Sequence, residues 1–554
     1  AASDVYKRQP HGESMTFTIH PTDACYHTEN VTVVDNGGEE QLGPVDQYTF
    51  ADVRSDNKKI EATFAINIYT ITVTAGEGGR IEPSGELGRV SVECGKDQTF
   101  NIYTDEGYLL EDVIVDGESQ GPKTAYTFSN VTSDHTMDAR FKKLQEWERR
   151  YNNVSVNGND EASDIAVDSA GNVYVTGYSI GRTTGPDYYT ISYTSGGVQG
   201  LSARYDGPAH EGDYANAIVV DSSGNVYVTG YSYRGMPYKH SDYCTLKYDS
   251  TRKLVWNAQY DDRRNGNDVA TAVAVDNSGF VYITGRSEDS LTKTDVKHYD
   301  YYTIKYNAST GRVEWGARYN GSVNGIDEAT AIAVDAVGNV YVTGRSLGNG
   351  TGLDYITIKY APTGGNPLWA ARYNNINGND EATAIAVDLL GNVYVTGKSQ
   401  GNGTGLDYVT IKYDTIGIQK WVVRYNNALA NGADEAAAIA VDPAGNVYVT
   451  GKSQGNGTGL DYVTIKYDTI GIQKWVVRYN NALANGADEA AAIAVDSAGN
   501  VYVTGKSWGN TTGFDYFTIK YGSSGDMVWR VRYNHSGGND EATAVVVDAA
   551  GNVY

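Results

Sequence analysis

Two sets of aspartates recur along the chain at near-constant spacing, and they are the residues best placed to do chemistry. The first set is Asp160, Asp213, Asp268, Asp327, Asp380, Asp434, Asp488 and Asp540, often followed by Glu; the second is Asp187, Asp242, Asp300, Asp354, Asp407, Asp461 and Asp515, each followed by Tyr. Asn/Gly loops such as Gly455-Asn-Gly-Thr-Gly459 lie between them. Hard cations want several carboxylate and carbonyl oxygens, so calcium is one reading of both sets. A ligand face rich in Tyr and Asn is another. No Asp-x-Asp-x-Asp cluster accompanies them. The expectation is therefore that these aspartates cap turns and accept backbone amides at strand starts, with no cofactor.

Acid–base chemistry would fall to histidine. His210, His240 and His298 occupy corresponding loops of three successive repeats, each with Asp nearby, but the remaining repeats lack them. They are read as polar surface residues. The loops Tyr231 to His240 and Ser287 to Tyr299 are longer than their counterparts, and symmetry-breaking loops are where function collects. No nucleophile elbow, phosphate loop or zinc motif is present, so no catalytic residue is assigned.

The elements that carry these residues follow from a sentence that repeats itself, Asp-x-x-Gly-Asn-Val-Tyr-Val-Thr-Gly. Its first glycines are Gly171, Gly224, Gly279, Gly338, Gly391, Gly445, Gly499 and Gly551, at steps of 53, 55, 59, 53, 54, 54 and 52 residues. One unit reads as four short strands: Glu381 to Asp388, Asn392 to Gly397, Asp407 to Tyr413 and Trp421 to Tyr425. That pattern is one blade of a β-propeller. The first strand is built of Ala, Ile and Val and the last carries Trp and Tyr. Filling space at uniform density then puts the first strand at the crowded axis and the fourth at the rim. The turn aspartates Asp168, Asp221, Asp276, Asp335, Asp388, Asp442, Asp496 and Asp548 are read as turn formers.

These units resemble the SBBP β-propeller repeat of bacterial and archaeal secreted proteins, over about residues 147–554. The third unit departs, with Gly279-Phe-Val-Tyr-Ile-Thr-Gly285. The resemblance implies seven blades, and whole units from Ala162 to Tyr533 also number seven. Trp147 to Tyr151 is expected to be an outer strand completing the last blade, with residues 541–554 surplus. Eight blades is the competing count. Residues 391–442 and 445–496 are identical over 52 positions, so either a recent duplication or an assembly error has set the number of copies.

Upstream, residues 16–64 and 99–141 superimpose as patterns. Thr16-Phe-Thr-Ile19 matches Thr99-Phe-Asn-Ile102, Tyr48-Thr-Phe50 matches Tyr126-Thr-Phe128, and Ala62-Thr-Phe64 matches Ala139-Arg-Phe141. With Tyr69-Thr-Ile-Thr-Val73 and Gly76-Glu-Gly-Gly-Arg-Ile-Glu-Pro-Ser-Gly85, residues 69–143 resemble the divergent internalin-type B-repeat of bacterial surface proteins, and residues 16–67 its latter half. The resemblance implies a non-enzymatic spacer or adhesive module. Residues 1–9 match nothing that follows, and Asp4 to Gln9 looks like translated sequencing adapter, so 1–15 is set aside as an artefact or disordered segment. The expected organisation is all-β: modules at 16–67 and 68–145, then a seven-bladed propeller over 146–554.

Composition agrees. The 554 residues include 45 Tyr and 64 Gly, and the net charge of −24 argues against nucleic acid as a partner. No apolar run is long enough to span a membrane. Of the three cysteines, Cys25, Cys94 and Cys244, free thiols are expected, with a Cys25–Cys94 pair as the alternative. The functional expectation is a monomeric, extracellular or cell-surface prokaryotic scaffold binding protein or glycan. A secreted polysaccharide lyase or hydrolase using blades one to three, and a surface-layer component, are the alternatives.

Overall fold

The structure is a computed structural model describing residues 12–35, 38–54, 58–144, 147–235, 240–262, 266–289, 298–376, 378–482, 484–509, 511–535 and 538–554. The expected artefact at the N-terminus lies mostly outside these residues. No helix occurs among them, and the chain divides into two units, 1–144 and 145–554.

Unit 1 holds two β modules with one topology. In the second, Gln98–Thr104 pairs with Ala125–Phe128, and Tyr108–Val115 pairs with His135–Lys143, which runs parallel to Ile68–Ala75. In the first, Met15–Thr18 pairs with Gln47–Phe50, and Tyr26–Asp35 with Lys59–Ile66. The likeness reaches side chains. A Thr16–Thr49 hydroxyl pair at 2.7 Å matches Thr99–Thr127 at 2.9 Å. Both long pairings carry a bulge at the corresponding place, after Thr28 and after Leu110.

Cys25 and Cys94 form a disulfide, which corrects the expectation of free thiols. Asn67 supplies the reason. Its N–H donates to the Cys25 carbonyl and its own carbonyl accepts from the Cys94 N–H, which sets the two Cα atoms 5.3 Å apart. That separation suits a disulfide. Cys244 is free and buried, and burial pushes its thiol up to about 12.

Unit 2 contains seven four-stranded antiparallel sheets among the described residues, each in sequential strand order. Blades 1 to 7 span 160–205, 213–260, 268–319, 327–373, 380–425, 434–479 and 488–533. Blade 5 shows why the repeated sentence folds. Asp388 Oδ1 accepts from the N–H groups of Leu390 and Asn392 at 2.9 and 2.8 Å. Its Oδ2 accepts from Asn392 Nδ2 and the Tyr394 hydroxyl at 2.8 and 2.9 Å. One carboxylate thus closes the turn and satisfies a tyrosine that is fully buried. Thr396 pairs its hydroxyl with Thr410 at 3.0 Å, a rung repeated in every blade and buried in all but the seventh. Gly397 sits where the first strand bulges between Ala382 and Ala384, and a Cβ there would lie 2.1 Å from the Glu381 carbonyl oxygen. Val393, Val395, Val409 and Ile411 are fully buried around this frame, each contributing about 1.5–3 kcal/mol.

Blades interlock through the residues that make each strand. Thr271, Thr330 and Thr383 each donate to an alanine carbonyl of the next blade at 2.9 Å. Arg286 and Arg345 both meet Glu328, Arg345 also meets Glu381, and Lys398, Lys452 and Lys506 carry the pattern on to Glu435, Glu489 and Glu541. The first strands of successive blades are neighbours, so the small residues do face one another at the axis. Ile165, Ala166, Val167, Ile218, Ala494 and Val546 border an apolar opening there of about 370 Å³.

Two expectations need correction. Blade 7 has its own fourth strand, Met527–Tyr533, so Trp147 to Tyr151 does not complete it and forms no strand. Residues 541–554 are not surplus either: the Thr543 hydroxyl donates to the Ala162 carbonyl at 3.4 Å. Trp147 lies between Tyr193 and Tyr554, as Trp369 lies between Tyr341 of its own blade and Tyr413 of the next.

Candidate functional site

The fourth strand of every blade but the second ends in Arg-Tyr, and its arginine reaches across the sheet. Arg424 Nη1 donates to Asp407 Oδ2 at 2.7 Å and to the Ser399 carbonyl at 3.0 Å. Its Nη2 donates to the Ser399 hydroxyl at 2.5 Å and to the Tyr373 hydroxyl of the preceding blade at 3.3 Å. Arg204, Arg318, Arg372, Arg478 and Arg532 hold Asp187, Asp300, Asp354, Asp461 and Asp515 in the same way. Blade 2 has Gln259 instead, and Asp242 is met by Arg234 from a loop.

The first-strand aspartates do what the capping expectation asks of one oxygen. Oδ2 of Asp160, Asp213, Asp268, Asp327, Asp380, Asp434 and Asp488 accepts a backbone N–H from Asn153, Gly207, Asp262, Gly321, Asn375, Asn427 and Asn481. Asp540 accepts from the His535 N–H at 2.8 Å. The other oxygen is different. Oδ1 of each, Asp540 apart, is buried and accepts no hydrogen bond, and so is Oδ1 of Asp187, Asp242, Asp300, Asp354, Asp407, Asp461 and Asp515.

The two sets therefore meet at blade junctions, third-strand Asp of one blade against first-strand Asp of the next. Apart from half-buried Asp160 and Asp540, the paired aspartates are at most 1% exposed. They do not line an open loop face, which corrects the picture of a surface available to a large ligand. The physical reason is that both strand starts are covered by the loop leading into the next blade.

Burial, together with the neighbouring Asp187 and Asp206, pushes Asp213 up to about 6 against the pull of Ser232 and the Gly207 amide. Burial likewise takes Asp268 to about 7 and Asp242 to about 6, the latter despite Arg234. Asp300, Asp327, Asp380, Asp434 and Asp488 are raised by burial as well. Near the axis, burial raises Asp164 to about 6 although it accepts from the Ile165 and Ile218 amides.

The histidines separate. His210 is exposed and holds Asp206 Oδ2 at 2.5 Å. His240 is 3% exposed, with Nε2 3.2 Å from Asp242 Oδ1. His298 is half-buried with Nδ1 lacking a hydrogen-bond partner. The tips of the two long loops, 236–239 and 290–297, lie outside the described residues.

Two groups escaped the sequence reading: the bracing arginines, and the residue after each fourth-strand tyrosine, Asp206, Asp261, Asn426 and Asn480. The signal was there, as Arg-Tyr followed by Asn or Asp in repeat after repeat.

The chain is 24% identical over 424 residues to the "Uncharacterized WD repeat-containing protein L264" of Acanthamoeba polyphaga mimivirus, covering 61% of this chain and 29% of that protein. The chain thus spans under a third of that relative's length. Among solved structures, polysaccharide lyase Uly1 matches with a TM-score of 0.39 and 11% identity, over 71% of this chain and 92% of that one. A mutant of puromycin hydrolase matches with a TM-score of 0.38 and 10% identity, over 72% and 56%. A eukaryotic initiation factor matches with a TM-score of 0.36 and 9% identity, over 71% and 91%. The family model described as "SBBP: Beta-propeller repeat" matches residues 154–182, 204–234, 316–350, 368–403, 420–457 and 474–510. The gap at 235–315 holds most of the first long loop, all of the second and the divergent third unit. SBBP β-propeller repeats are thus found in six places along unit 2.

Proposed function

We propose that this protein is a non-catalytic extracellular binding scaffold whose propeller engages protein or glycan at a cell surface. One observation carries the reading. The outer strands and the turns before them present exposed apolar side chains in blade after blade: Leu254 and Val255, Val313, Leu368, Ile418 and Val422, Ile472 and Val476, Met527 and Val528. Recurrent exposed apolar surface marks contact with other molecules, and repetition multiplies weak contacts. The Cys25–Cys94 disulfide supports an oxidising compartment. The two modules of unit 1, with their B-repeat-like pattern, suit a spacer on such a protein. No helix among the described residues is long and apolar enough to cross a membrane.

A polysaccharide-active enzyme is the second reading, favoured by buried His240 beside Asp242 in the blade whose bracing arginine is missing. One experiment separates the two. The purified full chain is applied to a glycan array and incubated with the polysaccharides it retains. Retention without new reducing ends or unsaturated products supports the scaffold. Turnover lost in His240→Ala overturns it. A variant with Ile418→Lys and Ile472→Lys that retains every ligand removes the rim from the proposal.

A further inference from the structure

Three acceptor oxygens converge, buried and unpartnered, at the junction of blades 1 and 2. Asp187 Oδ1, Asp206 Oδ1 and Asp213 Oδ1 each lack a hydrogen bond. The three side chains can bring ligand oxygens within 4.8 Å of one another. Asp187 and Asp213 are fully buried. Each carboxylate has its second oxygen engaged elsewhere, so the arrangement is held. Asp187 Oδ2 accepts from Arg204 Nη1 at 2.8 Å and Thr184 Oγ1 at 2.9 Å, Asp213 Oδ2 from the Gly207 N–H at 2.6 Å, and Asp206 Oδ2 contacts His210 Nδ1.

A buried acceptor without a donor is costly, and buried carboxylates are paired or bind metal. A single water donates only two hydrogen bonds, one fewer than this site needs. Arg204 offsets one of three negative charges, and its guanidinium is already spent on Asp187 Oδ2, the Ser179 carbonyl and the Ser179 hydroxyl. The donor set is all oxygen, which suits a hard divalent cation and not a soft one.

We propose that the junction of blades 1 and 2 is a calcium site formed by Asp187, Asp206 and Asp213, and that the matching positions between later blades are weakened copies of it. At the junctions of blades 5 and 6 and of blades 6 and 7 the same oxygens are buried and unpartnered, but Asn426 and Asn480 replace the middle aspartate. Those sites carry one charge fewer, and ligand charge count sets calcium affinity over decades. At the junction of blades 2 and 3 the extra carboxylates Asp261 and Asp262 are instead met by Arg234 and Arg318. The cation would tie three chain segments of two blades together at the point where their loops cross.

The test uses the full chain stripped with chelator. Calcium titration is followed by calorimetry, and terbium by luminescence sensitised through nearby tyrosines. One tight site is expected in the parent protein, with a higher melting temperature in calcium than in chelator. Asp206→Asn should weaken that site at least about tenfold, given how ligand charge tunes such sites, with far-ultraviolet circular dichroism unchanged. Asn426→Asp, made in the parent, should add a second tight site. No calcium or terbium binding up to millimolar concentration in the parent overturns the proposal. So does Asp206→Asn binding as tightly as the parent. Because Asn426→Asp is tested for a gain, a folding defect cannot imitate its expected result, and a site count that stays at one refutes the weakened copies.

Discussion

Truncating Arg478 tests whether the repeated arginines brace the blades or merely decorate them. In blade 6, Arg478 Nη1 lies 2.7 Å from Asp461 Oδ2, and the two side chains are 27% and 1% exposed. At an effective dielectric of about 20 this contact is worth roughly 6 kcal/mol of Coulomb attraction before desolvation. Removing one member of a buried pair costs about 3–5 kcal/mol, because the other charge stays buried. Thr458 still donates to Asp461 Oδ2 after truncation, at 2.9 Å, and Arg478 is partly hydrated. The lower end, about 3 kcal/mol, is therefore expected for Arg478→Ala. Urea unfolding followed by tryptophan emission measures it, since Trp475 sits on the same strand. In an Asp461→Asn background the same truncation should cost under about 1 kcal/mol, as no buried charge remains. Blade 5 supplies a replicate: Arg424→Ala breaks the same set of contacts at the same lengths and should match within about 0.5 kcal/mol. A loss below about 1 kcal/mol for Arg478→Ala in the parent would place the pair with exposed ion pairs and refute the bracing argument.

Three further outcomes are expected. In chelator, the melting temperature should rise as pH falls from 7.5 to 5. Asp213 and Asp268 have folded-state values raised to about 6 and about 7, so their stabilising protonation is complete below the unfolded carboxylate range and is lost as pH rises through those values. Below about pH 4 the trend reverses, because Glu328, Asp168 and Asp496 are lowered by their partners and lose stability on protonation; a flat or inverted profile between 7.5 and 5 refutes this. Replacing Cys25 and Cys94 by Ser releases a cross-link spanning 69 residues and should cost unit 1 about 4 kcal/mol by loop entropy, read as a drop in its urea midpoint; unchanged unfolding of unit 1 would sink it. Asp442→Ala deprives the buried Tyr448 hydroxyl and the Asn446 amide of their acceptor, so about 2–3 kcal/mol should be lost in the same assay, against about 1 kcal/mol for Tyr448→Phe.

The repeated sentence determined much by itself. Its alternation specified four strands per unit, its glycines marked the turns, and its Ala-to-Trp gradient ordered each blade from axis to rim. All of these are local: a turn aspartate finds its amides within six residues, so spacing alone reveals the role. The paired cysteines and the junctions were not legible in that way. Cys25 and Cys94 meet because the Asn67 backbone bonds to both. Asp187 meets Asp213 because a third strand of one blade abuts the first strand of the next, and only there do their free oxygens face a shared, water-poor space. The sequence determined which residues recur, since recurrence is a property of the chain. Whether a recurring aspartate caps a turn, braces an arginine or holds a cation was decided by tertiary structure, because burial and the convergence of charges from different blades exist only after the blades have packed.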